Sequence, residues 1–284
     1  MKRNIIFSAI GLLVLLAGCG QGDAGKTAND SVAVRKKGPD AEVVMPVLYQ
    51  QQAAEYRALC LQAYNIAKSK VLRSVTQPIP KDSFAVITDL DETALDNSPD
   101  EAQLILDSMT YTQKSFDEWA RAEKAKAVPG SVAFFNFVNS LNARLHKKID
   151  IYYVSNRDSA LTQVTMENMA QLGFPQLTRS HFLFQTDRHH PSKEGRRQQI
   201  EKNHSVILLL GDNLIDLDST FDSQHHLTEG ERRHRVDSLA DYFGDKYIVF
   251  PNAIYGDWEG ALYNYHYPPL DSVMQIRKDS LHGY

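Results

Sequence analysis

Short apolar runs at Phe84 to Ile87, Ile149 to Val154, His181 to Phe184, Val206 to Leu210 and Tyr247 to Phe250 punctuate the chain. They are rich in β-branched and aromatic residues and lack strict alternation, the pattern of strands covered on both faces. Between them lie segments of helical character. Ser131 to Lys147 follows Pro129-Gly130, Ala160 to Leu172 is stopped by Gly173, and Lys193 to Lys202 is charged on one side. A longer helix is predicted over Val47 to Val75, ahead of the first strand. Strands alternating with helices predict an α/β fold, a parallel central sheet between two helical layers. The interval 96–128 breaks the alternation. It carries helical stretches around Ala102 to Thr110 and Phe116 to Ala127, and it reads as a small helical cap inserted after the first strand.

The first residues follow a different pattern. Met1-Lys2-Arg3 precedes the apolar run Ile5 to Leu16, too short for a comfortable membrane span, since that takes about 20 residues, but of the right form for an export signal. Leu16-Ala17-Gly18-Cys19 resembles the bacterial lipoprotein signal, which implies cleavage before Cys19, a lipid anchor on that residue and, with Gly20 following, an outer-membrane destination. Residues 19–38 are small, charged and aperiodic, as expected of a tether. The expected organisation is therefore signal 1–18, tether 19–38 and a folded domain 39–284 that carries the inserted cap 96–128.

Composition narrows the function. Acidic residues outnumber basic ones, 35 to 31, and loss of Lys2 and Arg3 with the signal would deepen the imbalance, so nothing favours nucleic-acid binding. After cleavage Cys60 has no second cysteine to pair with, and no local histidine motif activates it, so it reads as a packed small residue. His225, His226 and His234 lack a paired ligand framework and belong to a solvated segment.

Polar clusters sit beside the predicted strands. Asp89 and Asp91, two residues apart on extended chain, point the same way, about 6 to 7 Å from each other. Ser155-Asn156-Arg157, Lys193 with Arg196, and Gly211-Asp212-Asn213 followed by Asp216 recur at later strand ends, where open α/β sheets bind ligands. Donors, a cation and converging carboxylates are what a bound phosphate and a hard metal ion need. Taken singly, each cluster also reads as a turn or a charged helix face. Arg157 is equally suited to touch a substrate or to pair with an acid such as Asp158.

Asp89-Leu90-Asp91-Glu92-Thr93 resembles the first motif of the haloacid-dehalogenase-like phosphohydrolases. Ser155-Asn156-Arg157, Ser192-Lys193-Glu194-Gly195-Arg196 and Gly211-Asp212-Asn213-Leu214-Ile215-Asp216 match the later motifs in order. With Val128-Pro129-Gly130 and the segment Pro251 to Glu259, the chain resembles the bacterial class C acid phosphatases and their lipoprotein 5'-nucleotidase branch. The resemblance implies a Rossmann-like three-layer fold and a phosphomonoesterase that uses Mg2+. Asp89 would be the nucleophile and Asp91 the proton carrier. Ser155, Asn156 and Lys193 would bind phosphate. Metal ligands would come from Asp89, the Asp91 backbone carbonyl and Asp212, with Asp216 and Asn213 in support. Trp119 and Tyr255 would stack on the base of a nucleoside 5'-monophosphate, nicotinamide mononucleotide included. A homodimer is also implied, although no two-fold patch is legible. The alternatives are a broad-specificity acid phosphatase and a catalytically silent, ligand-binding surface lipoprotein.

Overall fold

A computed structural model describes residues 43–77, 83–145, 148–187 and 192–284; the predicted signal and tether, and the first residues of the predicted domain, lie outside the described residues. Where one long helix was expected there are two, α1 (Val44–Gln52) and α2 (Ala54–Val75), separated at Ala53, whose backbone is extended at φ −75°, ψ 129°. Alanine favours helix, so the break answers to tertiary contacts: Gln50 and Gln51 of α1 are hydrogen-bonded to the segment after β1 (Phe84–Thr88).

A two-stranded antiparallel sheet, β2 (Leu95–Asp96) with β3 (Lys126–Ala127), closes the base of the insertion. Between them lie α3 (Ser98–Leu106) and α4 (Gln113–Arg121), the latter started by a capping box in which Thr112 and Ser115 bond each other's backbone N–H. The helix expected over Phe116 to Ala127 therefore ends early. Lys126 and Ala127 have helical propensity, but pairing with Leu95 and Asp96 makes them a strand. The other inserted helix likewise begins at Ser98 rather than Ala102, with Pro99 in its first turn, where its missing N–H costs nothing.

Next come α5 (Ser131–Leu145), β4 (Ile149–Asp158), α6 (Thr162–Leu172), β5 (Phe182–Gln185), α7 (Glu194–Glu201) and β6 (Ser205–Gly211). The chain continues through α8 (Glu229–Ser238), β7 (Tyr247–Val249), α9 (Asp257–Leu262) and α10 (Leu270–Asp279); the last two helices have no counterpart in the apolar pattern. α6 stops at Gly173, whose φ of 85° suits glycine. His181 falls in a 3₁₀ turn before β5, and Phe250 lies just past β7. The helix expected to begin at Ala160 starts as a 3₁₀ turn over Ser159–Leu161.

The main sheet is wholly parallel, in the order β5-β4-β1-β6-β7. β1 is entirely buried and serves two cores by the period of two of a strand. Phe84 and Val86 face the larger core with α2 and α5; Ala85 and Ile87 face a smaller one with Ile200 of α7, Leu209 and Leu217. The predicted α/β three-layer class is thus the observed one. Cys60 is fully buried in the larger core, and burial pushes its thiol up to about 11, away from reactivity.

Tyr64 of α2 links that core to the loop after β1. Its ring lies 4.7 Å from Phe250 and 5.2 Å from Phe134 between centroids, and its hydroxyl donates to the Thr93 carbonyl at 2.7 Å. Tyr64→Phe keeps the packing and orphans a buried carbonyl. It should cost about 1 kcal/mol, lowering the melting temperature by roughly 2 to 4 °C in a thermal denaturation.

Candidate active site

β1 is flanked by β4 and β6, so the chain leaves it at the point where successive connections diverge, the usual ligand crevice of such sheets. Asp89 follows the strand, its backbone N–H bonded to the Leu210 carbonyl at 2.9 Å. The chain then folds back on itself. Ala94 and Leu95 donate to the Leu90 carbonyl at 2.8 and 2.7 Å, and Glu92 takes a left-handed φ of 54° at the apex. Asp91 and Thr93 therefore belong to a tight loop ahead of β2 rather than starting a helix.

Asp89, Asp212 and Asp216 bring carboxylate oxygens within 4.8 Å of one another. Asp212 follows β6, and Asp216 comes back over it on a 3₁₀ turn capped by Asn213. This return demands Gly211, because a Cβ there would lie 2.3 Å from the Asp216 Cβ. Lys193, at the start of α7 and 4 % exposed, pairs with Asp89 and, at 2.6 Å, with Asp216. Thr93 Oγ1 and Asn252 Nδ2 donate to the two oxygens of Asp212 at 3.1 and 2.9 Å. Burial, then repulsion from Asp216, pushes Asp212 up to about 8. Burial and the neighbouring aspartates raise Asp89 well above its ordinary value despite Lys193. Three acids, Asp89 and Asp216 buried and Asp212 partly so, crowd round one lysine and lack positive charge, and their donors are all oxygen, so they fit a hard divalent cation.

Asp91 has different surroundings. Arg157 clamps it, with Nη2 at 2.7 Å and Nε at 3.0 Å from Oδ1, so this arginine pairs with the motif aspartate and not with Asp158. β4 runs past Ser155 to Asp158, and a register shift against β5 between those residues accompanies the inward turn of Arg157. Ser155 is therefore inside the strand rather than at its end, with Oγ 3.3 Å from Asp91 Oδ2. Burial pushes Asp91 up, but the Arg157 guanidinium and hydrogen bonds from Arg157 and Asn97 outweigh it and hold the carboxyl below its ordinary value. Asn156 Oδ1 accepts from Arg196 Nη2 at 2.5 Å, and Arg196 Nη1 bonds the Ser155 carbonyl at 2.7 Å. Arg196 thus braces the second motif from behind.

Beside Asp91 lies a network absent from the sequence reading. Glu92 is fully buried and accepts from Gln50 Nε2 at 3.2 Å, Asn97 N at 2.8 Å, Asn97 Nδ2 at 3.1 Å and the Tyr255 hydroxyl. Burial, then the charge of Asp91, pushes Glu92 up to about 8. Trp119 of α4 donates from Nε1 to Asn97 Oδ1 at 2.9 Å and packs against the main core. The two aromatic rings singled out in sequence are thereby tethered by their polar tips to adjacent members of one network. Glu92 and Asn252 stand within recognised motifs and Asn97 just past the first, but their surroundings depend on partners elsewhere along the chain. Asn213 sits outside the carboxylate cluster and caps the turn that carries Asp216. Exposed Trp258 donates from Nε1 to the Tyr255 carbonyl at 3.3 Å.

Comparison with known proteins agrees with this geometry. Residues 16–258 match the family described as HAD superfamily, subfamily IIIB (acid phosphatase). The class C acid phosphatase from Bacillus anthracis is 36% identical over 87% of this chain and 99% of its own, with a TM-score of 0.79. Its tungstate-bound structure has the same identity and coverage and a TM-score of 0.80. A match along nearly the whole described fold, on a parallel sheet with the phosphohydrolase motifs in order along the chain, makes this chain a member of the HAD-superfamily class C acid phosphatases, and hence a phosphoric monoester hydrolase.

Proposed function

We propose that the protein hydrolyses nucleoside 5'-monophosphates, nicotinamide mononucleotide among them, through an aspartyl-phosphate on Asp89. The observation that carries this chemistry is the contrast between two carboxylates two residues apart, Asp89 paired with Lys193 and Asp91 clamped by Arg157. In the free protein the surroundings raise Asp89 and lower Asp91; a cation bound beside Asp89 would lower it and the charge of a bound phosphate would raise Asp91, the directions that a nucleophile and a proton carrier need. An Asp89 oxygen attacks phosphorus, and the bond to the leaving oxygen breaks with its electron pair as Asp91 supplies a proton. Water then attacks the phosphorus, Asp91 takes its proton, and the Asp89 carboxylate is released. In the free protein Asp91 is held below its ordinary value, and the negative charge of a bound phosphate works in the opposite direction.

Lys193 and Ser155 hold nonbridging oxygens, with the Asn156 amide nitrogen as a further donor. Asp216, ion-paired to Lys193, keeps that lysine oriented. Asp89, Asp212 and the Asp91 backbone carbonyl form an oxygen-only set suited to Mg2+, which would offset phosphate charge. The tungstate bound by the Bacillus anthracis relative has the tetrahedral shape of phosphate and supports recognition of an oxyanion. For the leaving group, Trp119 and Tyr255 are anchored at their polar ends to Asn97 and Glu92, which supports a clamp that grips a flat base. The insertion bearing Trp119 then acts as the cap. The Leu16-Ala17-Gly18-Cys19 sequence supports a lipid anchor and an outer-membrane location.

Asp89→Asn should lower turnover at least about a thousandfold and abolish the acid-stable covalent phosphate expected on rapid quenching of the wild type. Near-normal turnover would remove Asp89 from its role. Trp119→Ala and Tyr255→Ala should each lose affinity for adenosine 5'-monophosphate and nicotinamide mononucleotide by an amount worth about 1 to 3 kcal/mol, while 4-nitrophenyl phosphate is little affected. Equal losses on all three substrates would identify a broad acid phosphatase. Cys19→Ala in the full chain should prevent incorporation of labelled palmitate and shift the protein out of the membrane fraction; unchanged labelling would exclude anchoring at that residue.

A further inference from the structure

Asn97 stands at the foot of the insertion, directly after β2, and is 2 % exposed. It occupies the N-cap position of α3, yet its side chain makes no capping bond. Its Nδ2 donates to Asp91 Oδ1 at 2.7 Å and to Glu92 Oε2 at 3.1 Å. Its Oδ1 accepts from Trp119 Nε1 at 2.9 Å and from Arg157 Nη2 at 3.4 Å. A primary amide has two N–H donors and two lone pairs, and here all four are engaged. Turning the amide over would aim its oxygen at two carboxylates, so its orientation is fixed.

This fixed amide makes the oxygens of Asp91 unequal. Oδ1 receives Asn97 Nδ2 and Arg157 Nη2 at 2.7 Å each, and Arg157 Nε at 3.0 Å. Oδ2 has only the longer contacts, Arg157 Nε at 3.2 Å and Ser155 Oγ at 3.3 Å. We infer that Asn97 is a positioning residue that pins Oδ1 of Asp91, leaves Oδ2 to carry the transferable proton, and ties this orientation to Trp119 of the insertion. The inference rests on the reading of Asp91 as proton carrier. As the phosphorus–oxygen bond breaks, the leaving oxygen keeps the electron pair and takes the proton from Oδ2; in the second step Oδ2 takes a proton from the attacking water. One amide thus aligns the proton donor and the tryptophan proposed to meet the leaving group.

The consequence is specific to leaving groups that need a proton. Substituted phenyl phosphates present one ring shape while the basicity of the departing oxygen varies, so kcat/KM across such a series isolates proton donation. Asn97→Ala should reduce kcat/KM for phenyl phosphate about tenfold or more beyond its effect on 4-nitrophenyl phosphate, a fraction of the whole effect of a general acid. Asn97→Asp keeps an oxygen for Trp119 and Arg157 and replaces the donor facing Asp91, so it should show the same split even if the alanine variant is poorly folded by thermal denaturation. Trp119→Phe, which removes the Nε1–H link together with the pyrrole half of the indole but keeps a six-membered ring, should show a smaller split in the same direction. Asp91→Asn is the reference and should show the largest. Equal losses across the series for both Asn97 variants, with the split retained in Asp91→Asn, would overturn the inference alone. Absence of the split in Asp91→Asn would overturn the proton-carrier assignment beneath it.

Discussion

Like charges pressed together out of water are the condition around which this protein is built. Asp89, Asp91, Glu92, Asp212 and Asp216 share the carboxyl end of the sheet with Lys193 and Arg157 as the nearest buried cations. Carboxylates at such spacing repel strongly when water is excluded, and an arrangement of this kind persists only where the scaffold over-determines it. The scaffold does so through a central strand buried on both faces, neighbours in register on either side, and Gly211, whose missing side chain lets Asp216 return over the strand end. The cations are interleaved with the acids, Lys193 between Asp89 and Asp216 and Arg157 on Asp91, and the oxygen-only cluster of Asp89, Asp212 and Asp216 is of a kind that could hold a metal ion.

The same repulsion explains why the acids are not equivalent. Asp91 is surrounded by donors and sits low, whereas Asp212 and Glu92 are pushed towards neutrality. Glu92 is the most informative of these. It adopts a backbone conformation that disfavours a side chain, is wholly buried, and collects donors from α1, the insertion and the segment before α9. Its contribution is architectural: a charge-capable acceptor around which the walls of the site are gathered.

The strands were legible because buried parallel strands leave continuous apolar runs, and Asp89 with Asp91 was legible because extended chain puts alternate residues on one side. What escaped depended on distant partners. Ala53 looks helical, and only the engagement of Gln50 and Gln51 accounts for the break beside it. Lys126 and Ala127 look helical until Leu95 and Asp96 claim them. Arg157 had two readings in sequence, and the structure shows the pairing with an acid, Asp91. Glu92 lay in plain view within a recognised motif, and Asn97 just past it. The surroundings of Glu92 come from donors as distant as Gln50 and Tyr255, and those of Asn97 from Trp119 and Arg157, which local pattern does not encode.

The reach of Glu92 bears on how the molecule comes into being. Its hydrogen bonds join Gln50 to Tyr255, near the two ends of the described chain, through a carboxyl close to the first strand. The link to Tyr255 spans 163 residues and closes a longer loop than the β1–β4 or β1–β6 pairs, whereas the link to Gln50 spans only 42. A partly folded chain can therefore hold Asp89 beside a growing sheet while the walls of its pocket are still absent. A chain whose segment around Tyr255 is not yet available cannot complete this wall of the site.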